Sequence, residues 1–148
     1  MRTHTKAIGH RRFAAAGAVG LVLLGGCGAG DVSTPQPDEE GWLTLFNGMD
    51  LSNWSVVGDG NWRVEDGAIT ADASTSASFV VSDMSFSDFD LELEFWVDTE
   101  ANSGVFIRCE NPEAIDETSC YEVNIFDTRP DQTSRTGSIM NVAAPSEF

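Results

Sequence analysis

The chain has 148 residues, enough for one domain, and contains 8 basic and 24 acidic residues. All 24 acidic residues lie beyond residue 26, together with only four basic residues, all arginines, so residues 27–148 carry a formal charge of −20 (4 minus 24). This negative charge argues against nucleic acid and anionic lipid as partners. Both histidines and the single lysine lie in the first ten residues, which excludes histidine-ligated zinc, a Ser-His-Asp triad and a lysine Schiff base from the rest of the chain.

Residues 1–26 have the pattern of an export signal. Four basic residues up to Arg12 precede an uncharged, small and apolar run at 14–26, which is too short to span a bilayer. The run ends in Leu24-Gly25-Gly26-Cys27, which resembles a bacterial lipobox, where the signal is removed and the acylated cysteine becomes the new N-terminus. We therefore expect an exported lipoprotein, periplasmic or at the cell surface, that touches the membrane only through the lipid on Cys27. The alternative is an ordinary signal peptide followed by a chance cysteine.

Short runs of alternating apolar residues begin at Gly41. Residues 27–40 are small, polar and proline-bearing, which predicts a flexible linker between the acylated cysteine and a domain at 41–148. Residues 42–46 alternate, and Asp66-Gly67 predicts a hairpin between residues 61–65 and 68–71. A further short strand is predicted at 78–82.

Residues 88–98 form the clearest strand. One face carries five apolar residues, which predicts a core face, and the other is acidic around a single indole, Trp96. No useful helical period follows residue 27. Short strands separated by Gly, Asn and Asp turns predict an all-β sandwich.

Residues 102–127 predict a hairpin with a cysteine at each end of its polar insert. Tyr121 begins a run whose odd positions are apolar, so Glu122 and Asn124 share the opposite face, and alternation in the first strand places Phe106 and Arg108 on that same side. Export would place Cys109 and Cys120 in an oxidising compartment, which predicts a disulfide, with two free thiols as the alternative.

These landmarks resemble one family. They include Gly41-Trp42, Leu45-Phe46-Asn47-Gly48, Val64-Glu65-Asp66-Gly67, residues 102–108, 121–125 with Asp127, and Thr136-Gly137. They are similar to the 3-keto-disaccharide hydrolase (3-keto-glucoside 1,2-lyase/hydratase) family of exported bacterial proteins. The resemblance implies a concanavalin-like jelly-roll β-sandwich. Because the family's domain continues where this chain stops at Phe148, we expect an incomplete sandwich, the N-terminal portion of the domain.

The resemblance also implies a substrate and a chemistry. A ketone at C3 of a glucoside acidifies the C2 hydrogen, so a base can remove it and expel the C1 substituent, and hydration completes a net hydrolysis. Alternation alone predicts that Glu122 is a solvated carboxylate, whereas the resemblance makes it the base or a metal ligand. Arg108 would bind hydroxyls or stabilise an enolate, or else pair with Glu122 or Glu94.

Further residues are candidates for substrate contact. Asn124, in place of the family's usual glutamine, and Asp127 are expected to contact substrate or metal, and Arg135 to close the site from a loop. Trp96 and Phe106 would stack on a sugar ring or lie beneath further strands. The acidic ladder at positions 88, 90, 92 and 94 suggests Ca²⁺ or Mg²⁺, but side chains spaced along one strand do not enclose one ion, so a solvated face is the favoured interpretation and no metal is assigned.

Three functions are compatible with these patterns. The first is a lipoprotein enzyme that cleaves 3-keto-glucosides. The second is a non-catalytic carbohydrate-binding β-sandwich, because a fold does not determine a function. The third is a structural or adhesive lipoprotein, or an inactive gene fragment.

Overall fold

The computed structural model describes the backbone of residues 4–10 and the whole of residues 35–146. Nine short β-strands form within these ranges, together with one 3₁₀ turn at Gln132–Ser134. The strands are β1 (His4–His10), β2 (Trp42–Leu43), β3 (Trp54–Val57), β4 (Arg63–Glu65), β5 (Ala68–Thr70), β6 (Phe79–Ser82), β7 (Asp90–Trp96), β8 (Ser103–Ile107) and β9 (Tyr121–Ile125). The described residues include no helix that is long and apolar enough to cross a membrane.

The strands pair into three antiparallel sheets. The largest has the order β2-β1-β5-β4, with β7 also paired to β1, and the other two are the pairs β3-β6 and β8-β9. The structure is therefore all-β, as predicted, and its small antiparallel sheets are consistent with a β-sandwich.

The hairpin predicted at Asp66-Gly67 is confirmed. These two residues join β4 to β5 with φ values of 52° and 76°, so both adopt the left-handed conformation that the tightest hairpin turns require. Glycine and aspartate tolerate this conformation better than most residues, which explains why this pair marks the turn.

The buried apolar cluster of the described residues joins the β4-β5 hairpin to the β3-β6 pair. Phe46 and Ile69 are 4% and 1% exposed, and six half-buried apolar side chains pack against them, including both Trp54 and Trp62. Each indole also finds a polar partner: Trp54 Nε1 donates to the Leu45 carbonyl at 3.2 Å, and Trp62 Nε1 donates to Ser78 Oγ at 2.9 Å. The two tryptophans therefore contribute apolar area without a buried, unpaired N–H.

Strand β7 is shorter and less buried than the alternation predicts. Leu91 and Phe95 lie on its apolar face, yet they remain 36% and 38% exposed, and Leu93 is only half-buried. The prediction of a core face is therefore wrong in degree. Alternation identifies which face of a strand is apolar, but it does not show whether another layer covers that face.

Strand β1 lies within the segment predicted as a signal peptide. It pairs with β7 over seven residues and with β5 and β2 on its other side. Removal of the signal stays a prediction, and the lipidation predicted at Cys27 lies outside the described residues. The predicted linker is described from residue 35, and its last part forms a turn in which Asp38 Oδ1 accepts hydrogen bonds from the backbone of Glu40 and Trp42.

Candidate functional site

The hairpin of β8 and β9 displays a polar face and an apolar face. Its register pairs Gly104 with Asn124, Val105 with Val123, and Phe106 with Glu122. Directly paired residues project to the same side of a sheet, so Gly104, Phe106, Glu122 and Asn124 share one face, as the alternation predicts. A disulfide between Cys109 and Cys120 closes the hairpin, and this confirms the predicted pairing.

Glu122 is a half-buried carboxylic acid on this face. Burial is the main cause that raises its pKa above the ordinary value, the nearby negative charge of Glu117 raises it further, and Arg129 opposes both. Its side chain lies across the backbone of Gly104: a Cβ placed there would be 2.6 Å from Glu122 Oε1 and 2.9 Å from Cγ. The absence of a side chain on Gly104 therefore leaves the space that the carboxylate occupies.

Phe106 connects this hairpin to the β3-β6 sheet. Its ring meets Phe79 of β6 edge-on, with centroids 5.1 Å apart, and the residue is half-buried. Trp96, the other predicted sugar-stacking residue, is 55% exposed and lies on β7 in the largest sheet. The two aromatic residues therefore lie on different sheets, and their stacking roles stay predictions.

Asn124 is almost completely buried, at 1% exposure. Its Nδ2 donates to the Ser134 carbonyl at 2.5 Å, its backbone N–H donates to the Ser138 carbonyl, and its own carbonyl accepts from Gly137 N–H. All three bonds anchor the segment that follows β9 against the hairpin. A direct contact between Asn124 and substrate stays a prediction, and it would require this segment to expose the amide.

The same segment contains Asp127 and Arg135. The Thr136 hydroxyl donates to Asp127 Oδ1 and accepts from the backbone N–H of Phe126, so it fixes the start of the turn after β9. Arg135 Nε donates to the Arg129 carbonyl at 3.0 Å. Both predicted contact residues are thus bound within the loop at 126–138, and their contacts with substrate stay predictions.

Arg108 departs from the strand that precedes it. Strand β8 ends at Ile107, and Arg108 has φ 55°, a conformation that interrupts the two-residue alternation. Its guanidinium lies 3.8 Å from Asp88 Oδ1 and 5.9 Å from the centre of the Phe89 ring. The alternative interpretation of Arg108, an ion pair with Glu122 or Glu94, is therefore wrong, because the turn after β8 directs Arg108 towards Asp88.

Three residues near Glu122 were missed by sequence reasoning. Glu117 and Arg129 influence its charge, and Gly104 makes room for it. Arg129 also places its guanidinium 5.9 Å from the centre of the Phe126 ring. Two sequence features could have pointed to them: Arg129 is one of only four arginines beyond residue 26, and Gly104 interrupts a predicted strand.

The acidic ladder on β7 does not form a metal cage in the described residues. Asp90, Glu92 and Glu94 are all exposed along one strand. Within residues 35–146 and the short strand β1, no three His, Cys, Asp or Glu residues are grouped so that they could hold a metal ion.

Comparisons with known proteins give one consistent result. A sequence profile of the 3-keto-alpha-glucoside-1,2-lyase-like domain matches residues 41–147. The chain is also 28% identical, over 91 residues, to a protein of Bacteroides thetaiotaomicron named 3-keto-disaccharide hydrolase. That match covers 54% of this chain and 31% of the relative, so the chain spans less than a third of that protein. No solved structure matches the chain.

Proposed function

The chain belongs to the 3-keto-alpha-glucoside-1,2-lyase-like domain family, and we propose on that basis that it cleaves the glycosidic bond of 3-keto-glucosides. The substrate class follows from the family and from the name of the Bacteroides relative. The strongly acidic chain is compatible with a neutral sugar and unfavourable for anionic substrates. We also propose that the strands belong to a concanavalin-like jelly roll.

The half-burial of Glu122, which raises the pKa of its carboxyl, is the observation that supports catalysis most directly. A base acts best when its pKa lies near the working pH, and partial burial moves Glu122 in that direction. Glu122 would remove the proton from C2, next to the C3 ketone. The electrons of the C2–H bond form an enolate, with the negative charge on the C3 oxygen. As the C3 carbonyl re-forms, a C1–C2 double bond forms, the C1–O bond breaks, and the departing oxygen takes a proton. Water then adds its oxygen to C1 and a proton to C2, which gives the free 3-keto sugar.

The negative charge that develops on the C3 oxygen needs a nearby cation or hydrogen-bond donor. Arg108 was the predicted residue for this role, and Arg129 is a second candidate because its charge already acts on Glu122. The Arg108 guanidinium is about half exposed and its contact with Asp88 is long, at 3.8 Å, so a substrate oxygen could compete for it.

The first experiment is turnover of a 3-keto-glucoside that carries a chromogenic aglycone. We expect Glu122→Gln to lower kcat by about a hundredfold or more, within the usual range for a general base. Glu92→Gln is the matched control, because it changes the charge equally on an exposed part of β7. Equal turnover by wild type and Glu122→Gln would exclude Glu122 as the base. A wild type that binds the sugar without turnover would favour the carbohydrate-binding alternative.

The same reaction in D₂O separates elimination from direct displacement at C1. Hydration of the eliminated intermediate places a solvent deuteron on C2, whereas displacement at C1 leaves the original hydrogen there. The product incubated alone in D₂O is the control, since the C2 position next to a ketone also exchanges slowly without enzyme. Deuterium at C2 no higher than in this control would exclude the elimination route.

We further propose that the chain is exported and anchored through an acylated Cys27. The basic residues before the apolar run and the lipobox-like Leu24-Gly25-Gly26-Cys27 support this location. The disulfide between Cys109 and Cys120 agrees with it, because disulfides persist mainly outside the cytosol. Labelling of cells with an alkyne fatty acid tests the proposal: wild type should be labelled and Cys27→Ser should not.

A further inference from the structure

Gly104 occupies an unusual position in strand β8. The φ angle of Gly104 is not positive, so alanine can adopt the same backbone conformation. Glycine in a strand weakens it and often marks a place where another group approaches closely. The reason for a glycine here must therefore lie in what surrounds its Cα.

The three atoms nearest to an added Cβ all belong to the side chain of Glu122. They are Oε1 at 2.6 Å, Cγ at 2.9 Å and Cδ at 3.2 Å. Asn124, which is the direct cross-strand partner of Gly104, is not among these three contacts. The space above Gly104 is thus used by the carboxylate of the diagonal neighbour.

We propose that Gly104 is a positioning residue, which holds the Glu122 carboxylate against the hairpin by leaving a hollow above its Cα. This inference rests on the proposed function in so far as it concerns turnover. The carboxylate is held in the hollow from the Gly104 side, while Phe106 lies directly across the strands from Glu122. Glu117 and Arg129 are the charged groups that act on it from the neighbouring segments.

An alanine at position 104 would move the carboxylate and leave the backbone in place. The crowded atoms are Cγ, Cδ and Oε1 of Glu122 and include no backbone atom, so rotation of that side chain relieves the contacts. Rotation would expose the carboxylate to water, and the main cause of its raised pKa would be lost. The base would then be both misplaced and less basic.

The test compares Gly104→Ala with wild type in the purified chain. We expect kcat to fall at least about tenfold with little change in KM, since one misplaced group can cost that much. In NMR titrations of the Glu122 side chain, the pKa of Glu122 in Gly104→Ala should fall towards the ordinary value of a glutamic acid. The acid limb of the pH–rate profile should shift to lower pH as well. An unchanged titration midpoint in Gly104→Ala would overturn the proposal.

A second comparison separates positioning from a general packing defect. In a Glu122→Ala background the crowded atoms are absent, so Gly104→Ala should leave the urea midpoint unchanged or raise it. Gly60→Ala is the matched control, because its Cβ would lie 2.5 Å from Ser78 Oγ, and it should lower stability without shifting the Glu122 titration. An equal loss of stability from Gly104→Ala with and without the Glu122 side chain would overturn the proposal.

The titration also keeps this inference independent of the reaction. If the wild-type chain does not turn over a 3-keto-glucoside, the proposed function fails, but the Glu122 midpoint in Gly104→Ala still reports whether the hollow positions the carboxylate. A lower midpoint would support positioning in that case, and an unchanged one would overturn it.

Discussion

The disulfide between Cys109 and Cys120 makes a contribution to stability that can be worked out from the length of the loop it closes. The two cysteines are 11 positions apart. In the chain-entropy model, a loop of this length lowers the entropy of the unfolded chain by about 9 cal/mol/K, which corresponds to about 2.8 kcal/mol at 25 °C. We expect Cys109→Ala/Cys120→Ala to lose about that amount of unfolding free energy.

Urea unfolding followed by tryptophan fluorescence measures this loss. With a slope of about 1–3 kcal/mol/M for a small domain, the midpoint should fall by about 1–3 M. Reductant provides the control: it should move the wild-type midpoint to that of the double variant and leave the variant unchanged. A loss below about 1 kcal/mol would refute the loop-entropy reasoning for this hairpin. Activity should fall as well, because the loop at 108–120 carries both Arg108 and Glu117.

Three further outcomes test other parts of the structure. Because burial raises the folded-state pKa of Glu122 above its ordinary 4.5, the folded chain binds this proton more tightly than the unfolded chain. The resulting stability is complete below pH 4.5 and is lost as the pH rises through the raised pKa. The urea midpoint of Glu122→Gln should therefore decline less than that of wild type as the pH rises from 4.5 through the raised pKa. Ile69→Ala should cost about 2–5 kcal/mol in the same assay, whereas Val56→Ala, at a site 47% exposed, should cost much less. Removal of residues 1–26 deletes β1, which pairs with β7 throughout its length, so hydrogen exchange of the β7 backbone amides should become faster. Unchanged protection of these amides would show that another partner replaces β1.

The local structure of the β8-β9 hairpin could be predicted because short-range rules determine it. The two-residue period assigned Glu122 and Asn124 to one face, and the positions of Cys109 and Cys120 at the inner strand ends indicated their pairing. Asp66-Gly67 indicated its turn for a similar local reason, since few residue pairs tolerate two successive left-handed conformations.

Features that depend on neighbouring segments could not be predicted in the same way. Arg108 was assigned to the face of Glu122 by alternation, but its positive φ ends the strand and brings it to Asp88. The apolar face of β7 was assigned to the core, although its cover depends on contacts that no local pattern records. The pairing of β1 with β7 was not predicted either, because residues 4–10 carry the composition of a signal peptide.

The environment of its carboxyl, rather than its place in the sequence, distinguishes Glu122 from five aspartates of the described residues. Five aspartates outside the strands accept hydrogen bonds from side chains, and four of them also from backbone N–H groups, which lowers their pKa values, to about 2 for Asp116; the others are Asp50, Asp59, Asp72 and Asp131. These carboxylates are stabilised as anions and are therefore weaker bases. Glu122 moves in the opposite direction, because it lies half-buried over Gly104 and beside Glu117. In a chain with 24 acids, a raised pKa on an otherwise polar strand face is thus the physical property that makes this residue the strongest candidate for the base.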